Sequence, residues 1–288
     1  MFMTHSPTLR ALRYQSSSGA PDAERLGRRM TALYRTWMHG GVDLAGLAKC
    51  LILPLDIAGQ PIGRACLAAA AAVAAWGGHP YHSALHHAEV ATNATVVAEL
   101  AEIAGAPICS RHRSLLLAAA LAHDYRYQPG GPRFAPETLS AEAMDGIASE
   151  CGVPPAERED LNRLILATEP SFRRVLAGDP AVPTIPKPLQ DLLARPDLKA
   201  LAAVLSDADL LSSAGLSVRW NQVQHHRLER EIGRSICPSE DLAFFERIVG
   251  PGFLSLGGRT FDANLGRIRE ARAASTTTPK TGSANDDR

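Results

Sequence analysis

Histidine and aspartate side chains stand at three places in this chain among otherwise apolar neighbours. The first is Pro80-Tyr81-His82-Ser83-Ala84-Leu85-His86-His87-Ala88-Glu89-Val90. The second is the run Leu115 to Ala122, which ends abruptly in His123-Asp124. The third is Val204-Leu205-Ser206-Asp207-Ala208-Asp209-Leu210-Leu211. Imidazoles and carboxylates move protons near neutral pH, and they also bind divalent cations. Each segment alone is a weak signal, because a lone histidine is usually a surface or satisfied core residue and a lone aspartate is usually a cap or a solvated charge. Their shared apolar setting changes the balance. A buried charge is costly unless it is paired or bound to a metal, so three such segments point to one cation held between helices.

The surrounding sequence supplies those helices. Leu26, Met30, Leu33, Tyr34 and Trp37 form an apolar stripe behind Pro21-Asp22, and Gly40-Gly41 ends it. An Ala-rich helix runs from Pro61 to Trp76 and stops at Gly77-Gly78. A long one follows from about Ser83 to Ala104, closed by Gly105 and Pro107. On that helix His82 and His86, four residues apart, share a face. Further helices are expected over 111–123, 138–151, 155–168, 197–212, 215–232, 239–248 and 260–273. The Pro-rich stretch from Asp179 to Pro188 reads as an irregular crossover. No period-two alternation is sustained. The expected fold is all-α: a single helical-bundle domain over 21–274, a flexible N-terminus over 1–20 and a disordered tail over 275–288.

The ordered set His, His-Asp, Asp resembles the HD superfamily of metal-dependent phosphohydrolases, over roughly Tyr81 to Gly215. The first segment is similar to the Tyr-His-Asn-x-x-His-Ala-x-Asp-Val signature of class I cyclic-nucleotide phosphodiesterases, with Ser83, His87 and Glu89 at the variant positions. His123-Asp124 matches the defining pair, and Ala208-Asp209-Leu210 matches the closing Ala-Asp-Leu. The stretch from His123 to Ala143 also resembles small bacterial HD proteins with His-Asp-x-x-Tyr followed by Asn-Glu-x-x-Ser-Ala. Glu137-Thr138-Leu139-Ser140-Ala141 fits there, with Pro136 in place of Asn. A helix N-terminal charge is the plainer reading of Glu137.

The resemblance implies the HD/phosphodiesterase type of bundle and a metal set of His86, His123, Asp124 and Asp209. It prefers Asp209 over Asp207, and it makes His82 the general acid and Asp124 a bridge between ions. One or two divalent ions (Mn, Mg, Fe, Co or Zn) would suit such a mixed set. The implied function is hydrolysis of a phosphomonoester or phosphodiester, in a nucleotide or related small molecule, by metal-activated water. Arg126 and Arg133, in the Gly-Pro-rich loop after the pair, are candidate phosphate binders. Arg173-Arg174 and Arg111-His112-Arg113 are weaker ones. His87 is expected to be a supporting or solvent-facing residue, and His225-His226 to lie on an exposed helical face. Alternatives are a non-catalytic or regulatory nucleotide-binding HD module, and a di-iron oxygenase on an HD-like scaffold. The absence of histidine between His123 and His225 argues against the latter.

The 30 basic and 30 acidic residues balance, which gives no electrostatic footprint for general nucleic-acid binding. No stretch reads as a membrane span or a secretory signal. Cys50, Cys66, Cys109, Cys151 and Cys237 are scattered, odd in number and never in Cys-x-x-Cys. They are expected to be small buried residues in a reducing, cytoplasmic protein. The sequence does not set the oligomeric state.

Overall fold

The computed structural model describes residues 22–179, 184–250 and 252–277. The N-terminus expected to be loose, and the tail from 278 on, lie outside the described residues. Ser275 to Thr277, expected to be tail, instead complete the last helix. Among the described residues there are thirteen α-helices, two short 3-10 turns and no strand. In chain order the helices are α1 (Ala23–Gly40), α2 (Leu44–Ile52), α3 (Pro61–Trp76), α4 (Ala84–Ile103) and α5 (Ser110–Ala122). Then come α6 (Ala135–Glu150), α7 (Pro155–Leu166), α8 (Phe172–Leu176) and α9 (Lys187–Leu193). The chain closes with α10 (Pro196–Ala214), α11 (Val218–Ile232), α12 (Pro238–Val249) and α13 (Asp262–Thr277). The sequence had not suggested α2, α8 or α9. They are short, and α9 begins inside the Pro-rich crossover because Pro188 sits in its first turn, where a missing N–H costs nothing.

Local rules explain most boundaries. Asp22 accepts a hydrogen bond from the Arg25 amide at 3.0 Å, and Asp43 does the same for Gly46 at 2.8 Å. Gly77 ends α3 with φ of 80°, a left-handed angle that a side chain would resist. The core lies around α4, which packs against both α10 and α5. Every residue of α5 from Ser114 to Ala122 is buried, as is most of α4. Helices enclosed on all sides have no polar face, which is why neither shows an amphipathic stripe. Charges at their ends therefore sit inside the protein. No single helix among the described residues is long and apolar enough to cross a membrane.

The cysteines depart from expectation. All five are free thiols, but Cys66 alone is buried, whereas Cys109 and Cys237 are exposed.

Candidate metal centre

Three core helices deliver the charged groups to one point. His86 lies in the first turn of α4, His123 caps the C-terminus of α5 with Asp124 next in line, and Asp209 is in the last part of α10. One ligand atom from each of these four lies within 4.8 Å of the others. His86 Nε2 stands 3.1 Å from His123 Nε2, 3.2 Å from Asp124 Oδ2 and 3.3 Å from Asp209 Oδ1. His123 Nε2 is 3.0 Å from Asp124 Oδ2 and 3.7 Å from Asp209 Oδ1. Donors about 2.1 Å from a shared cation stand about 3.0 Å apart at right angles and about 3.4 Å apart in a tetrahedron. The observed separations bracket both values.

The hydrogen bonding of His123 sharpens the point. Its Nδ1 lies 3.0 Å from the Ala120 carbonyl oxygen, which can only accept. Nδ1 therefore carries the proton, and in the neutral ring Nε2 presents a lone pair. That lone pair faces two carboxylates and a second imidazole, so four acceptors share a spot that only a cation or extra protons can satisfy. Without a cation, protons fill the role. Burial opposes charge on His86 and His123, yet Asp124 and Asp209 raise both above the ordinary histidine range. Burial likewise pushes the two carboxylates up, but the histidines hold both below the usual carboxylate range. The donor set fits a divalent cation.

Asp207, two residues before Asp209, is fully buried on another side of α10. It accepts from Arg173 Nη1 at 2.7 Å, from the Leu254 and Ser255 amides at 3.0 and 2.7 Å, and from the Ser255 hydroxyl at 2.6 Å. It fixes the 252–258 segment and does not reach the cluster. Gly258 is needed beside it, because a β-carbon there would come within 2.3 Å of the carboxylate.

His82 does not share a helical face with His86. The helix begins at Ala84 with Ser83 as its cap, so His82 sits in the preceding turn. It still meets the cluster, with Nε2 3.7 Å from Asp124 Oδ2. Helix α11 determines this. Glu231 accepts from the Tyr81 and His82 amides at 2.7 and 3.0 Å, and its other oxygen lies 2.5 Å from His82 Nδ1. Burial alone would raise the Glu231 carboxyl, but these contacts hold it below its ordinary value. Arg227 donates to the Pro80 and Tyr81 carbonyls and to the Ser83 hydroxyl. Gln224 donates to both oxygens of buried Glu89 at 3.0 and 2.9 Å. The Tyr127 ring stacks on His82 with centroids 3.7 Å apart. Sequence reasoning gave none of Tyr127, Gln224, Arg227 and Glu231 a role. The legible signal was Gln224, Arg227 and Glu231 spaced as one face of a helix.

Other sequence candidates are placed as follows. His87 is fully buried, not solvent-facing, with its ring centroid 5.2 Å from that of His123 and no hydrogen-bond partner on either nitrogen. Burial and the neighbouring His123 hold it neutral. Arg133 lines the cavity beside the cluster and pairs with Glu169 at 3.3 Å. Arg126 is exposed, sits over the Tyr125 ring and is not on the cavity wall. Arg173 is committed to Asp207, Arg174 to Asp179, Arg111 to Asp160 and Arg113 to Glu102. His226 is exposed as expected, but His225 turns inward and bonds Asp241 at 3.0 Å.

The cavity has a volume of about 410 Å³. His82, Asp124, Asp209 and Glu137 line it, together with Leu228, Phe244 and Ile248. Glu137 is buried, and its Oε2 has no hydrogen-bond partner. Burial, reinforced by Asp124, Glu169 and Asp209, pushes its carboxyl up to about 7. An unfolded glutamate titrates near 4.3. Between those values the folded protein keeps a proton that the unfolded chain has released, so stability falls as pH rises through the window. In cation-free protein, Glu137→Gln is expected to be more stable than the parent by about 3–4 kcal/mol near pH 8 and nearly equal near pH 4. Thermal melts across that range check this. A constant offset would contradict the assigned environment.

No protein-family model matches this chain. No curated protein matches it in sequence. The solved structure of LmjPDEB1 in complex with IBMX is similar in fold, with a TM-score of 0.54 and 13% identity over 95% of this chain and 98% of that one. At that identity the likeness is one of fold: both are helical domains of this architecture.

Proposed function

We propose that this chain is a metal-dependent phosphohydrolase of the HD superfamily, cleaving a phosphomonoester or phosphodiester of a nucleotide or related small molecule. The observation that carries the reading is the meeting of four acceptor side chains, His86, His123, Asp124 and Asp209, two of which, Asp124 and Asp209, line a ligand-sized cavity. A divalent cation bound there would supply Lewis acidity to a phosphate oxygen and to the attacking water. These four residues would hold it. Asp124 and Asp209 both border the cluster and the open cavity, and the resemblance to the phosphodiesterases makes Asp124 the one that would reach a second ion.

His82 is the proton donor in this reading. Glu231 binds its Nδ1–H, so Nε2 faces the cavity side of Asp124 and can carry the proton that a leaving alkoxide needs. The stacked Tyr127 ring keeps the imidazole from rotating away. Glu231 acts through His82 and is a positioning residue.

The test is hydrolysis of p-nitrophenyl phosphate, bis(p-nitrophenyl) phosphate and a nucleotide panel, with cation content measured in the same preparation. Turnover that requires added Mn or Mg and stops on chelation supports the reading. A cation held tightly with no turnover on any ester would favour a regulatory module, and oxygen consumption would favour oxidative chemistry.

His82→Ala is expected to keep the cation and lose about 10²–10⁴-fold in kcat. Glu231→Gln is expected to lose about 10–100-fold in kcat with the cation retained, because the imidazole loses the partner that orients it. Loss of the cation in His82→Ala would assign His82 a different role.

A further inference from the structure

The charges on the cavity wall point to a narrower substrate class than the reading above requires. Each basic side chain that lines the cavity, among the described residues, is already matched by a carboxylate. Arg133 donates through Nε and Nη2 to Glu169 Oε2, both at 3.3 Å. Arg272 pairs with Asp241 and lies over the Phe245 ring at 4.4 Å. His225 bonds the same Asp241, and His82 bonds Glu231 at 2.5 Å. A paired guanidinium keeps spare N–H groups, but the pair brings no net positive charge. One carboxyl group on the wall, Glu137, has no basic partner, and Asp124 and Asp209 meet only histidines. Arg126 is exposed and off the wall.

A first phosphoryl group is therefore balanced by the cation, and a second would find nothing to balance it. The carboxylates of the wall, Glu137, Glu169 and Asp241 among them, would repel it. Glu137 Oε2 adds to this. Buried and unpartnered, it calls when ionised for a hydrogen-bond donor, which a hydroxyl or amine offers and an unprotonated phosphate oxygen does not. The apolar part of the wall, with Leu210, Leu228, Phe244, Phe245 and Ile248, suits an apolar body.

We propose that the cavity selects esters carrying a single phosphoryl group on a largely apolar body with a hydroxyl or amine facing Glu137, and disfavours di- and triphosphates of the same body. This rests on the phosphohydrolase reading and goes beyond it by naming the charge class.

The test compares kcat/KM, with Mn in excess, for one nucleoside presented as its p-nitrophenyl monophosphate ester and as its triphosphate. The single-phosphoryl probe is expected to be favoured by about tenfold or more, since a charge-assisted contact that one probe lacks has that worth. Glu169→Gln frees the Arg133 guanidinium while keeping the side chain's shape, and should narrow the ratio. Asp241→Asn frees Arg272 at the other wall and should do the same independently, should either variant fold poorly. Equal or better turnover of the triphosphate by the parent overturns this inference alone, as does a ratio unchanged in both folded variants. Failure to hydrolyse any ester overturns the phosphohydrolase reading and this inference with it.

Discussion

Asp124→Ala is expected to abolish cation-dependent hydrolysis, by on the order of 10³-fold or more, because in the proposed reading one residue would serve both the cation and the proton donor. Asp124 Oδ2 lies within 3.2 Å of both cluster imidazoles and 3.7 Å from His82 Nε2. Its loss removes a negative charge from the ligand set and the link between that set and the proton donor. The helical signal in circular dichroism is expected to survive, since α5 is built from Leu115 to Ala122 and stops before Asp124. Cation content by mass spectrometry, measured beside the rate, is the decisive pair of readings. Full cation occupancy with an undiminished rate would remove Asp124 from the centre altogether.

The largest effect on stability is expected two residues from a ligand. Asp207→Ala should cost about 3–5 kcal/mol, the usual penalty for stranding one member of a buried ion pair. Arg173 would keep its charge among buried groups, and the Leu254 and Ser255 amides would lose their acceptor. For a domain of this size each kcal/mol shifts Tm by roughly 2–4 °C, so a fall of about 10 °C is expected. Asp209→Ala should lose the cation yet melt much closer to the parent when both are cation-free. Calorimetry of the two variants side by side checks the division of labour on α10. Similar melting for Asp207→Ala and the parent would show that the 252–258 segment is held by something else.

The contrast between these neighbours shows what the sequence could disclose. Helices α3, α4, α10 and α11 were legible because their apolar runs are long and their ends carry glycine, proline or capping residues. The four-residue cluster was legible because acid and imidazole groups inside apolar helices have few other ways to exist. Which aspartate of α10 faces the cluster followed from a motif resemblance, not from the apolar context, which is the same for both. His82 was misread as sharing a helical face with His86 because histidines four apart look like one such face, whereas the helix begins only at Ala84. What places His82 is a carboxylate about 150 positions away, and no local pattern encodes such a pairing. His87 was read as peripheral because nothing in its neighbourhood announces that α4 is enclosed on every side. The short helices α8 and α9 fell below the length at which a period is visible.

The hydrogen bonds from the Tyr81 and His82 amides to Glu231 span 150 and 149 residues. A ribosome making this chain has already released all four ligand residues once Asp209 is out, and a cation could be captured then. The proton donor gains its seat only after α11 has emerged and closed that long loop, a slow event in chain-entropy terms. In the proposed reading, loading with metal and readiness for turnover would then be separable in time during biosynthesis.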